Sequence, residues 1–278
     1  MSDSTITRDM VVKFLKKRKL HPSVPEVIVT IINITRSPTA SVNDLVKVIE
    51  QDPGLTKRIL NVGNSGFYGI EREIRSISEA VVLMGWNTIK MISIGATILK
   101  MINDRNPRLY THVMRTAQYA KFIAGEANFY KADEIAIVGL LHDLGLIILQ
   151  EYFNKDFLKT KQYAINNGVP IHVAERTLLG VTHAEIGGWT VEEWKMPENI
   201  IEAITLHHEF DPETYHARKT AVIHVADSLA IAADYYGPAW EKVPEIVPSS
   251  LKTLGFAQKE FRRIALAAMK KKYDPLVM

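Results

Sequence analysis

The sequence predicts an all-α protein. Three observations carry that prediction. Apolar residues recur with helical spacing along most of the chain, and no stretch alternates as a half-buried strand does. Capping signals precede several apolar runs, as in Ser76-Ile-Ser-Glu79. Turn clusters end them, as at Gly63-Asn64-Ser65-Gly66.

The elements follow in order. Met10 to Leu15 begins the first apolar stripe. Val24 to Ile34 is β-branched, but Pro25 suits a first helical turn, so the segment reads as helix. Ser41-Val-Asn-Asp44 resembles a capping box, with Asp in place of Glu, ahead of Leu45, Val46, Val48 and Ile49. Asp52-Pro53 joins a capping side chain to a proline at the first helical position, and Leu55, Ile59, Leu60 and Val62 follow. Ser76 to Glu79 caps a short helix ending at Gly85, and Asn87 to Met101 makes the next.

Beyond a break at Asn103 to Pro107, histidines stand among apolar residues. Leu109 to Ala127, Asp133 to Leu141 and Leu144 to Tyr152 read as helices, the last two parted by His142-Asp143. Lys155 to Asn166 stops at Asn167-Gly168, and Pro170 opens its successor. His183 to Trp194 stops before Pro197, which starts a helix reaching His207. Ala217 to Ala233 is long and apolar. Gly237 to Ser250 holds four Pro or Gly residues and reads as loop. Phe256 to Lys272 is a last amphipathic helix whose terminal lysines suit the negative end of the helix dipole. The expected parts are a His-poor helical half (1–105), a His-rich core (106–235) and a C-terminal loop and helix (236–278).

Composition narrows the chemistry. The 278 residues include nine His and no Cys, so a metal site must use His, Asp and Glu. Disulfides, thiolate zinc sites, Cys-ligated clusters and Cys nucleophiles are excluded. A net charge of +3 is too balanced to argue for nucleic acid or an anionic membrane. The runs Lys16-Lys17-Arg18-Lys19 and Lys270-Lys271-Lys272 read as solvated faces. The N-terminal stretch has no signal-peptide core. Ala80 to Ile102 is apolar but carries Asn87, Lys90, Ser93 and Lys100, so it reads as a buried helix rather than a membrane span. The expected location is the cytoplasm.

The strongest chemical signal is Leu140-Leu141-His142-Asp143-Leu144-Gly145. Buried charge is costly unless it is paired or metal-bound. An Asp there can bridge two cations while its neighbouring His ligates one, and two metals about 3.5–4 Å apart can clamp a phosphoryl group. Taken alone, the dipeptide reads first as a helix end stabilised by His and Asp hydrogen bonds, and its companions are what shift the reading. Its companions are His112, on a helical face with Arg115 and Tyr119; His183, at a helix start; His207-His208, at a helix end; and Asp227, in an apolar helix.

The order His112, His142-Asp143, His183, His207-His208, Asp227 resembles the HD-domain metal-dependent phosphohydrolases, and most closely their HD-GYP branch. The N-terminal half adds Leu20-His-Pro-Ser-Val-Pro-Glu26, the Gln51-Asp-Pro block, Asn64-Ser-Gly-Phe-Tyr-Gly69 and Ile77-Ser-Glu-Ala-Val-Val-Leu-Met-Gly85. These resemble the HDOD domain, the HD-related output domain of bacterial signalling, over roughly Leu20 to Ala233. The resemblance implies an N-terminal helical bundle packed on an HD-like core, acting through signalling protein partners.

It also implies a ligand set. His112, His142, Asp143 and Asp227 would hold one metal, and Asp143 would bridge to a second held by His183, His207 and His208. Iron, manganese, zinc, cobalt and nickel all suit such donors. Without metal, Asp143 is expected to pair with His112 or His183. The alternative function is a phosphohydrolase acting on a nucleotide or cyclic dinucleotide, with Asp143 at the catalytic centre. Arg115 would then contact phosphate, or else form a salt bridge. Three departures weigh against turnover: Leu146 stands at the family's Lys position, Arg108 stands where a Glu can support a third metal, and Phe210-Asp-Pro-Glu-Thr-Tyr215 replaces the Gly-Tyr-Pro loop. Asn61 to Tyr68 reads as a partner surface or a structural turn. His21, His172, His216 and His224 are left without a role.

Overall fold

The computed structural model describes residues 6–17, 27, 30, 31, 34, 37, 39–64, 72–129, 132–233 and 245–270. All regular elements among them are helices. The Leu20–Glu26 motif, most of the Val24–Ile34 helix, the Ser65–Gly69 segment, most of the C-terminal loop and parts of both basic runs lie outside the described residues.

Contacts between Cα atoms divide the chain into two units. The first helical unit holds α2 (Val42–Glu50), α3 (Pro53–Asn64), α4 (Ile77–Met84) and α5 (Trp86–Arg105). Three of these four starts are capped by side chains, and α5 follows Gly85 without one. The Ser41 hydroxyl accepts the Asp44 N–H at 3.3 Å, and the Asp44 carboxylate accepts the Ser41 N–H at 2.9 Å. Asp52 accepts the Leu55 N–H at 3.0 Å, and Ser76 accepts the Glu79 N–H at 3.1 Å. The core is aliphatic, with Leu45, Ile49, Leu55, Ile59, Ile77 and Ile89 fully buried. Asn64 closes α3 by pairing with the Ile74 backbone. Its Oδ1 accepts the Ile74 N–H at 2.6 Å and its Nδ2 donates to the Ile74 carbonyl at 2.8 Å.

The second unit holds α1 (Arg8–Lys17), α6 (Pro107–Glu126), α7 (Ala132–Leu141), α8 (Leu144–Tyr152), α9 (Asn154–Asn167) and α10 (Ile171–Leu179). It continues with α11 (His183–Glu193), α12 (Glu198–Thr205), α13 (Ala217–Ala233), α14 (Pro248–Leu254) and α15 (Gln258–Lys270). The first helix groups here and not with the helices next to it in sequence: Ile6 N–H donates to the Leu179 carbonyl at 3.2 Å, and Arg8 pairs with Glu192. The break read at Asn103–Pro107 narrows to Asn106, because Pro107 opens α6 at a position where a missing N–H costs nothing.

Helix α13 is the central element. Every residue from Thr220 to Ile231 is buried, as expected for a helix without a polar face. Helix α14 packs against it. Part of α14 falls in the stretch read as loop. Pro248 sits in its first turn and Gly255, at φ 78°, stops it, so the same residues that suggested a loop are the helix's two ends. The apolar stretch Glu134–Tyr152 has the length and composition of a membrane span. However, 78% of its most apolar window is buried inside the fold, and its helices are interrupted at His142-Asp143.

Two glycines set how closely the site's helices approach. A Cβ on Gly139 of α7 would lie 2.8 Å from the Ala117 Cα of α6. A Cβ on Gly145 of α8 would overlap the His183 carbonyl oxygen of α11. Neither position tolerates a side chain while the helices stay this close.

Candidate metal centre

Local structure places each ligand-competent side chain. His112 faces inward from the second turn of α6. His142 and Asp143 occupy the two-residue turn between α7 and α8, where neighbouring residues can aim at one point. His183 is the first residue of α11, behind a capping box in which Thr182 accepts the Glu185 N–H and Glu185 accepts the Thr182 N–H at 2.8 Å. His207 and His208 follow α12 after Leu206, and Asp227 lies mid-way along α13. The seven side chains expected from sequence are brought together into three overlapping groups whose ligand atoms lie within 4.8 Å of one another.

One half of the cluster is a tight quartet. His112 Nε2 stands 3.2 Å from His142 Nε2, 3.3 Å from Asp143 Oδ2 and 3.2 Å from Asp227 Oδ1. His142 Nε2 stands 3.3 Å from Asp143 Oδ2 and 3.5 Å from Asp227 Oδ1. Ligands bonded at about 2.0–2.1 Å around a tetrahedral ion lie about 3.3–3.4 Å apart, so this spacing suits one ion at the quartet's centre. The other half uses the second oxygen of Asp143. Asp143 Oδ1 stands 3.3 Å from His183 Nε2, which is 3.0 Å from His208 Nε2. His207 completes this half, its ring centroid 4.0 Å from that of His208. Asp143 thus contacts both His112 and His183.

The tautomers point the same way. His142 Nδ1–H donates to the Gly139 carbonyl at 2.6 Å, His207 Nδ1–H to the Ile204 carbonyl at 2.7 Å, and His183 Nδ1–H to Glu175 Oε2 at 2.7 Å. Each acceptor fixes the proton on Nδ1 and turns the Nε2 lone pair inward. Imidazole nitrogens and carboxylate oxygens then face one another at contact distance, an arrangement that either shared protons or a metal cation can satisfy. Among the described residues, His207 Nε2, His208 Nδ1 and Asp227 Oδ2 are buried without a hydrogen-bond partner. The donors fit a metal on chemistry as well as spacing, since neutral imidazole and carboxylate are borderline-to-hard ligands.

Protonation reflects the same crowding. Burial disfavours charge on His112, but hydrogen bonds and charge from Asp143 and Asp227 outweigh it and raise His112 well above 6.5. His183 is likewise raised against burial, by Glu175 and Asp143. Burial would raise Asp143 and Asp227, but the surrounding imidazoles hold both well below the usual carboxylate range. Burial and neighbouring His142 and His183 push His207 down to about 3.

Two histidines left without a role acquire one. His224 Nδ1–H donates to the His207 carbonyl at 2.7 Å, and its Nε2 accepts the Val247 N–H at 3.0 Å, so it pins the His207 turn to α13. His172 stacks on His208 with centroids 4.1 Å apart and planes 16° from parallel. Glu175 was not singled out by sequence. It is fully buried and accepts both the backbone N–H and the Nδ1–H of His183. Its one signal was an acidic residue four beyond Ile171, on the buried face of α10. Arg115 is half-buried one turn beyond His112. Leu146 is buried at 4% exposure, so the position after His-Asp-x-Gly offers the centre no cation. Arg108 is exposed at the start of α6.

The HDOD domain family model matches residues 21–210. An uncharacterized protein of Treponema pallidum (strain Nichols) is 29% identical over 201 residues, covering 70% of this chain but only 39% of that relative. A candidate phosphohydrolase of Shewanella amazonensis SB2B shares the fold at TM-score 0.64 and 18% identity, covering 94% of this chain and 93% of that one. A candidate signal transduction protein of Marinobacter aquaeolei VT8 does so at TM-score 0.60 and 22% identity, covering 91% of this chain and 60% of that one.

Proposed function

The chain belongs to the HDOD domain family, and from that premise we propose that it is a bacterial signalling output module holding two metal ions in its histidine-bearing unit. The observation that carries the reading is Asp143, whose Oδ2 faces His112 and His142 while its Oδ1 faces His183. One ion would be held by His112, His142, Asp143 and Asp227. The other would be held by His183, His207, His208 and the second oxygen of Asp143. Such ions, when bound, polarise phosphoryl oxygens and acidify bound water. Iron, manganese, zinc, cobalt and nickel remain the candidates.

Output through protein partners is favoured over turnover because Leu146 and Arg108 remove two groups associated with catalysis in the related enzymes. The name of the Marinobacter structural neighbour supports a signalling role. A cytoplasmic address belongs to the same reading. Nucleic acid and membranes are not proposed as partners.

The second reading, a phosphohydrolase acting on a nucleotide or cyclic dinucleotide, is favoured by the complete set of seven ligand-competent side chains. There Asp143 would orient the attacking water and Arg115 would contact phosphate. Elemental analysis of full-length protein purified without chelator, paired with a phosphodiester hydrolysis assay, tests both. Two equivalents of metal without turnover support the module. Turnover abolished by His142→Ala establishes the enzyme. Less than one equivalent, with no thermal shift on adding divalent ions, overturns the metal centre.

A further inference from the structure

Helix α10 supplies no ligand to the centre, yet three of its residues hold one half of it. Glu175 has no exposed surface, and its Oε2 accepts the His183 backbone N–H at 2.8 Å and the His183 Nδ1–H at 2.7 Å. Arg176, the next residue, pairs with Glu185 Oε2 at 2.9 Å and Glu209 Oε1 at 2.8 Å. Glu185 belongs to the capping box in front of His183, and Glu209 follows His208. His172, one turn earlier, stacks on His208. Positions 172, 175 and 176 share one helical face.

The two halves are therefore supported differently. His142 and His207 donate Nδ1–H to neutral carbonyls, Gly139 and Ile204, each three residues earlier in the chain. Backbone geometry alone fixes those rings. Of these three rings, His183 alone donates its Nδ1–H to a carboxylate, and that carboxylate comes from another helix. A neutral acceptor would satisfy the ring equally, and burying a charge is expensive. What a carboxylate adds is basicity: it strengthens the imidazole as a ligand through its opposite nitrogen. Among the described residues, no hydrogen bond, ion pair or ring stack of α10 reaches His112, His142 or Asp227.

We propose that Glu175 is a positioning residue for the second metal ion, holding His183 with Nε2 turned to that ion, while His172 braces His208 for the same ion. This rests on the two-metal reading above. It assigns the two ions separate supports, so either can be weakened while the other stays.

The test is titration of cobalt(II) into full-length protein stripped of metal, followed by visible absorption. The wild type takes up two ions. Glu175→Gln keeps an oxygen acceptor at His183 but removes the charge. It is expected to bind the first ion as the wild type does and the second about 10–100-fold more weakly, with the ligand-field bands of one ion lost or shifted. Glu175→Asp, which keeps the charge, is expected to recover part of that loss. His172→Ala lies on a partly exposed side chain and serves if Glu175→Gln fails to fold; it is expected to weaken the same ion alone. The proposal is overturned if the variant that folds binds both ions with wild-type affinity, or weakens both equally. A wild type that binds fewer than two ions instead removes the two-metal reading and this proposal with it.

Discussion

Gly145 and His183 meet backbone to backbone. A Cβ at 145 would overlap the His183 carbonyl oxygen and stand 2.9 Å from the Gly187 N. This close approach sets α8 against α11 and brings Asp143, two residues before the glycine, within 3.3 Å of His183. Gly145→Ala must therefore push the helices apart. Overpacking of this kind costs about 1–3 kcal/mol. Denaturant unfolding of the stripped protein should show that loss, and metal titration should show weakened binding by the half that uses His183. An alanine variant with wild-type stability and both metal affinities intact would refute this account of the approach.

Asp143 turns one carboxylate oxygen to each half, so its removal should differ from that of any histidine. Asp143→Asn keeps the shape and one acceptor oxygen but removes the shared charge. Uptake of both ions should fall by at least tenfold, whereas His112→Ala should affect only the ion of its own quartet. Inductively coupled plasma analysis after dialysis against defined free metal separates the two. Equal losses in both variants would contradict the bridging role.

Asn64 tests the first helical unit independently. Its two hydrogen bonds to the Ile74 backbone, at 2.6 and 2.8 Å, close the end of α3. Asn64→Ala leaves a backbone donor and acceptor to find water, at about 1–3 kcal/mol. Amide exchange should rise around Ile74 while metal stoichiometry stays unchanged. Unaltered protection at Ile74 would show that the pairing does not hold this segment.

Legibility in the sequence followed the range of the interaction. The helix starts at Ser41, Asp52 and Ser76 depend on contacts three or four residues away, so capping chemistry exposed them. The seven ligand-competent residues each read singly as a core histidine or a cap, and became legible because their order matched a known pattern. Glu175 was not, since its partner His183 lies across a helix–helix turn and an acidic residue in an amphipathic helix carries no distinguishing mark. His172 and His224 were passed over for the same reason: a stack on His208 and a hydrogen bond to the His207 carbonyl exist only in the tertiary structure. Helix α14 was hidden because Pro248 and Gly255 mark helix ends as well as loops.

The pH dependence of the stripped protein should have a maximum near neutrality. His112 and His183 have raised values, so folding takes up protons there. That stabilisation is complete below about 6.5 and is lost as pH rises through the folded-state values. His172, lowered to about 4, and His207, lowered to about 3, are buried neutral, as are His208 and His224. The unfolded chain protonates these four first, so stability also falls as pH drops below about 6.5. Asp143 and Asp227, both depressed, add a further loss below about pH 4. Protons compete with metal for His112 and His183 below those raised values, and the competition eases as pH rises, because both rings must be neutral to bind an ion. Thermal melts from pH 5 to 9 should therefore show the stripped protein peaking near pH 6.5, while the metal-loaded protein keeps its stability above that point. The gap in Tm between the two should widen with pH. A gap that stays constant from pH 6 to 9 would mean that His112 and His183 carry no protons for the metal to displace.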